Sequence, residues 1–172
     1  RIQRSIDLRL ANCRHVVIGG SATSCSVLDA LFEHFEVREP DATLVYRTHQ
    51  GGQTKQLRKA IGNGRRLRVD SYAAREVINA IADADVVYFG VDREEPVLNA
   101  EQLCGLRDFT ARPLLIVDFN TAGSTAGLDG IPGVRLWTAR QLETEVETFA
   151  DEVCARENFS QVVQDAEAWM DQ

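Results

Sequence analysis

Three groups of residues have types and spacings that could act on a common ligand. The first is Gly19-Gly20-Ser21-Ala22-Thr23-Ser24, which follows the apolar run "HVVI" and opens into "CSVLDALFEHF". Hydroxyls from Ser21, Thr23 and Ser24 at the start of a helix suit an anion, because the first N–H groups of a helix are unpaired and its dipole is positive there. The second group is Tyr46-Arg47-Thr48, which closes a strand pattern, with Arg47 lying 23 residues after Ser24. A guanidinium presents a planar fork that matches a phosphate, and Thr48 and His49 add donors. The third comprises Phe89-Gly90-Val91-Asp92 and Asp118-Phe119-Asn120, each ending a strongly apolar run.

The first two groups share a known spacing. In a dinucleotide-binding fold the turn reads G-x-G-x-x-G, and about 20 residues later an acid reads the ribose 2′-hydroxyl of NAD or an arginine accommodates the 2′-phosphate of NADP. Only the first glycine, Gly19, is retained here. Ser21 stands where the ligand comes nearest, with a hydroxyl able to donate to a phosphate oxygen, and Ser24 is small enough for helix-to-strand contact. Arg47 selects NADPH. The competing readings are a Ser/Thr helix cap with no ligand and an arginine that is merely solvated.

The elements that must position these groups follow from the hydrophobic pattern. Strands are expected at His15–Gly19, Thr43–Thr48, Leu67–Ser71, Asp85–Val91, Pro113–Phe119 and Val134–Trp137, with helices at about 23–36, 54–61, 72–83 and 99–107. "DVVYFGV" and "PLLIVDF" lack polar alternation, as expected of strands covered on both faces. Strand–helix repetition implies right-handed crossovers and an α/β, doubly wound (Rossmann-type), mostly parallel six-stranded sheet. Residues 1–138 form this domain. From Ala139 to Met170 there is no Gly or Pro, and Leu142, Val146, Phe149, Val153, Val163, Ala166 and Met170 make an apolar stripe. A long C-terminal helix over 139–172 is expected to lead to another domain or to pair with a second copy as a homodimer. Two shorter helices broken near Asn158–Ser160 are the alternative.

Composition narrows the class. The chain has 172 residues, 44% hydrophobic and 26% charged, with a net charge of −7. That length supports one substantial core. The negative balance argues against nucleic acid as a direct partner of this segment, and "GNGRRLRV" reads as a solvated face. No apolar run reaches the ~20 residues of a membrane span. Cys13, Cys25, Cys104 and Cys154 contain no CxxC pair, so neither zinc nor a disulfide framework is expected, and a cytoplasmic setting with reduced thiols is. Cys13 reads as a small buried hydrophobe. Cys25 lies on the first turn of a helix, where a thiol pKa can fall, although packing is the preferred reading. The chain starts at Arg1 and its sole methionine is Met170, which suggests a piece of a longer protein.

With these motifs in order, residues 10–170 resemble the central NADPH-binding domain of the glutamyl-tRNA reductase family. Tyr46-Arg47-Thr48 is similar to that family's Asn-Arg-Thr, "ADADVVYFGVDREEPVLNAEQL" to its fourth-strand region, and "RPLLIVDFNTAGSTAGLDGIPGVRLWTARQLETEVE" to its fifth and sixth strands and long helix. The resemblance implies that Gly19, Gly20, Ser21, Ala22, Thr23, Ser24, Arg47, Thr48, Gly90, Val91 and Asn120 hold NADPH, with Asn120 on the nicotinamide carboxamide. It also implies that the cysteine nucleophile belongs to an upstream domain, so that this chain contributes no catalytic residue and is inactive alone.

Departures from the family pattern keep two alternatives open. The turn has lost glycines, Asp92 stands in the fourth-strand loop, and the family's Pro-Arg-Asp is replaced by Asp118-Phe119-Asn120-Thr121-Ala122-Gly123-Ser124. A module without cofactor, structural or regulatory, fits those losses. "DFN…GLDGI" is similar to the methylene-tetrahydromethanopterin dehydrogenases, which implies hydride transfer to a pterin.

Overall fold

A computed structural model describes residues 10–47, 54–91, 97–120, 125 and 127–148. The chain divides into two compact units, Arg1–Thr138 and Ala139–Gln172. The first is built on six strands: β1 (His15–Ile18), β2 (Ala42–Arg47), β3 (Arg65–Val69), β4 (Val86–Phe89), β5 (Leu114–Asp118) and β6 (Val134–Thr138). Every pairing is parallel, in the order β3-β2-β1-β4-β5-β6. This is the 3-2-1-4-5-6 arrangement of a dinucleotide-binding fold, with the strand order reversing between β1 and β4. The expected "mostly parallel" sheet is parallel throughout.

The helices are α1 (Ala22–Glu33), α2 (Thr54–Ile61), α3 (Arg75–Asp83) and α4 (Ala100–Cys104). Three are shorter than their apolar patterns suggest, each for a local reason. Chain reversal after α1 places Glu36 at φ 54°. Before α3, the Ser71 hydroxyl accepts from the Ala73 N–H at 3.2 Å and holds a turn. At α4 the Asn99 side chain and Gln102 form a reciprocal capping box, and the helix closes at Gly105. In the second unit, 139–148 is helical, and Thr144 and Thr148 return their hydroxyls to the carbonyls of Arg140 and Thr144. The proposed continuation to Met170 lies outside the described residues.

The central strands are buried at every position, as their unbroken apolar runs require. One face of the sheet packs Val16, Ile18, Val45, Val87, Phe89 and Ile116 against α3 and α4 through Val77, Ile81 and Leu103. At the amino edge, Asp85 gathers the chain together. Its carboxylate accepts from Arg112 Nε at 2.8 Å and from the Arg14 N–H at 2.8 Å. Arg112 and Arg107 also donate to the Asp83 and Ala82 carbonyls, satisfying the carboxyl end of α3. No helix among the described residues is long and apolar enough to cross a membrane.

His15 is buried on β1, with Nε2–H donating to the Leu10 carbonyl at 2.9 Å and Nδ1 facing the Tyr88 hydroxyl at 3.4 Å. Burial pushes its pKa down, opposed more weakly by the Leu10 carbonyl and by Asp85 and Asp41. Such a group stabilises the fold fully above the unfolded histidine pKa of about 6.5, and that stability is lost as pH falls through the lower folded value. Thermal melts from pH 7.5 to 5.0 are expected to show a decline that begins near pH 6.5, with a slope of up to about 1.4 kcal/mol per pH unit for one proton. His15→Gln should flatten that part of the curve; an unchanged slope would assign the decline to other groups.

Candidate functional site

The carboxyl ends of β1 and β4 diverge in strand order, and in this fold a ligand binds in the crevice outside them. Gly19 leaves β1 at φ 128° while its N–H donates to the Val45 carbonyl at 2.9 Å. Gly90 ends β4 with its N–H on the Ile18 carbonyl at 2.8 Å. A Cβ on Gly19 would stand 2.7 Å from the Gly90 oxygen, and one on Gly90 would stand 2.6 Å from Ser24 Oγ. Gly19 is therefore required by the Gly90 backbone, and Gly90 by the buried Ser24 side chain.

Ser21 caps α1. Its Oγ accepts from the Ser24 N–H at 3.3 Å and donates to the Gly90 carbonyl at 2.8 Å. The single hydroxyl proton thus lies on a protein carbonyl, not on the side expected to meet a phosphate. Ser24 is fully buried, filling the helix-to-strand contact expected of it. Gly20 is also buried, while Ala22 and Thr23 are exposed. Their N–H groups open the first turn of α1 and have no helical acceptor. The turn therefore offers an anion its main chain and the Thr23 hydroxyl.

Arg47 is the last residue of β2, opposite Val69 on β3. It is half-buried, and its Nε is buried without a hydrogen-bond partner. A buried donor left unpaired is costly, on the order of 1–3 kcal/mol or more for a charged group. An anion at this position would remove that cost. Thr48 and Asp92 lie outside the described residues.

On the far side of the crevice, Val91 and Asn120 are buried and Gly90 is half-buried. The Asn120 N–H donates to Asp118 Oδ1 at 2.9 Å, and Thr125 Oγ1 donates to Asp118 Oδ2 at 2.6 Å. The Asp118 carboxylate, itself buried, thereby holds both ends of the segment that follows β5. Sequence reading gave Thr125 no role and placed Asp118 in the fifth-strand group without assigning it this structural one. The available signal was an acid closing a strand buried at every position, which is retained inside only when its oxygens find donors.

Neither Cys13 nor Cys25 has an activated thiol. Cys13 is buried and its thiol is pushed up to about 11, chiefly by burial and secondarily by Asp85. Cys25 is also raised, by burial and then by Asp29, so the helix terminus does not activate it. Among the described residues no cluster of three or more His, Cys, Asp or Glu is placed to hold a metal ion. A cavity of about 270 Å³ lies at the opposite, amino end of the strands, between α3 and β1–β3, with Arg14, Thr43, Arg65, Glu76 and Asn79 in its wall. It has no part in the crevice.

No family model matches the chain, and no curated protein matches it in sequence. Solved structures do. The glutamyl-tRNA reductase from Methanopyrus kandleri superposes with a TM-score of 0.61 at 21% identity, over 87% of this chain and 37% of that one. The shikimate dehydrogenase of Mycobacterium tuberculosis gives 0.50 at 21% identity, over 74% and 46% of the two chains. A shikimate 5-dehydrogenase from Mycobacterium fortuitum gives 0.50 at 17% identity, over 76% and 46%. The chain thus spans less than half the length of each of these proteins.

The Gly19–Gly90 contact has a direct consequence. Gly19→Ala combines a disfavoured φ with a methyl against a backbone carbonyl, so it should cost at least about 2 kcal/mol of stability. Denaturant unfolding measures this, and a midpoint within error of the parent would contradict the contact. This chain's six-stranded, doubly wound α/β domain has the Rossmann-type fold, and it superposes on parts of the glutamyl-tRNA reductase and the two shikimate dehydrogenases.

Proposed function

We propose that this chain is the NADPH-binding domain of an oxidoreductase of the glutamyl-tRNA reductase type. The observation that carries the reading is Arg47, whose buried Nε lacks a partner at the end of β2, where this fold addresses the adenosine ribose. The N–H groups of Ala22 and Thr23 bind the bridging phosphates, and the Arg47 guanidinium binds the 2′-phosphate. Gly90, Val91 and Asn120 flank the nicotinamide end. The cofactor, when bound, supplies a hydride. In the glutamyl-tRNA reductase family its acceptor is a glutamyl thioester on an upstream domain, so positioning is this segment's contribution.

A module without cofactor is the second reading. It is favoured by Ser21 and Ser24, whose polar groups are satisfied inside the protein. Calorimetric titration separates the two. NADPH should bind more tightly than NADH by roughly 10- to 100-fold, the worth of hydrogen bonds between charged groups. Arg47→Ala should abolish that preference while leaving NADH affinity unchanged. Equal affinities, or indifference to Arg47→Ala, would overturn the NADPH assignment. Failure of either nucleotide to bind or to raise the melting temperature would favour the second reading.

A further inference from the structure

A serine in the second glycine position of a phosphate turn looks at first like a substitute phosphate donor, but its hydrogen bonds assign it elsewhere. Ser21 Oγ has one proton, and it lies on the Gly90 carbonyl at 2.8 Å. Its lone pairs meet the Ser24 N–H at 3.3 Å, with Ser24 Oγ at 3.5 Å. Ser21 and Gly90 are 69 residues apart in the chain and sit on opposite sides of the reversal in strand order. The β1 turn would carry the bridging phosphates and the β4 end the nicotinamide side. Ser21 is thus the side chain, among the described residues, that hydrogen-bonds the two halves of the crevice to each other.

We infer that Ser21 is a positioning residue that sets the β4 end, Gly90-Val91, for the nicotinamide half of the cofactor and does not itself hold phosphate. The inference rests on the NADPH reading above. The Gly90 carbonyl, just past β4, lies against the turn: a Cβ on Gly19 would meet it at 2.7 Å. Without the hydroxyl the Gly90 N–H still holds the Ile18 carbonyl, but the Gly90 carbonyl loses its side-chain donor and Gly90-Val91 is less firmly set. A glycine at position 21 would permit a closer phosphate but leave the Gly90 oxygen with one donor fewer. Serine therefore exchanges direct approach to the ligand for a fixed relation between the two halves. Thr23, exposed on the same turn, remains as the hydroxyl available to an anion.

Two ligands distinguish this role from phosphate binding: NADPH, and 2′-phospho-ADP-ribose, which keeps both bridging phosphates and lacks the nicotinamide. For Ser21→Ala the NADPH affinity should fall about tenfold, the upper end of one hydrogen bond, while 2′-phospho-ADP-ribose binds as it does to the parent. Ser21→Thr, which retains the hydroxyl, should restore NADPH binding; melting temperatures report whether each variant is folded. Equal losses for both ligands would make Ser21 a phosphate ligand and overturn the inference. So would no loss for either. If the parent protein binds neither ligand, the NADPH reading fails and this role falls with it. If the parent binds both and the Ser21→Ala losses are equal, the NADPH reading survives alone.

Discussion

The organisation of this protein depends on how closely two backbones approach at the centre of its sheet. The turn after β1 and the end of β4 meet with no room for a Cβ on either glycine, and the ladder between the strands continues into the contact through the Gly90 N–H. This seam also defines where a ligand can lie, because the crossovers before and after it depart to opposite sides. A serine hydroxyl spans the seam, where the usual motif has only the closeness of glycine.

The two edges of the sheet treat charge differently. At the amino edge, Asp85 collects Arg112 and the Arg14 main chain, while two arginines complete the carboxyl end of α3. Most of these donors meet a carboxylate or a carbonyl, while Arg107 Nε is buried without a partner. At the carboxyl edge, Asp118 is likewise committed, to Asn120 and Thr125. Arg47, by contrast, has a buried donor with no acceptor, and the first N–H groups of α1 have none within the helix. Both of these sets of unmet donors lie on the edge where this fold takes its ligand.

Sharing a fold with a glutamyl-tRNA reductase and with shikimate dehydrogenases shows how little the sheet alone says about a reaction. Those proteins are named for different substrates, and this chain matches less than half of each. A doubly wound domain presents a crevice, while the side chains at its rim decide what is held there. The rim here differs from the usual glycine-rich turn, with serines facing inward and an arginine at the end of β2.

Much of the architecture was legible before any coordinates. Unbroken apolar runs in "DVVYFGV" and "PLLIVDF" specify strands covered on both faces, and their alternation with helical patterns specifies parallel crossovers, because only that connection returns the chain to the same sheet edge. The spacing from the Gly19 turn to Arg47 placed both at the carboxyl edge, since one crossover separates them. Helix ends were less legible, because Ser71 and the Asn99–Gln102 pair intervene through hydrogen bonds that hydrophobic periodicity does not register. What only the tertiary structure decided is where polar groups spend their donors. Ser21 binds a carbonyl 69 residues away, and Asp118 accepts from Thr125, seven residues on. A hydroxyl in a sequence has a type but no direction, and direction arises only when packing brings a distant acceptor within reach.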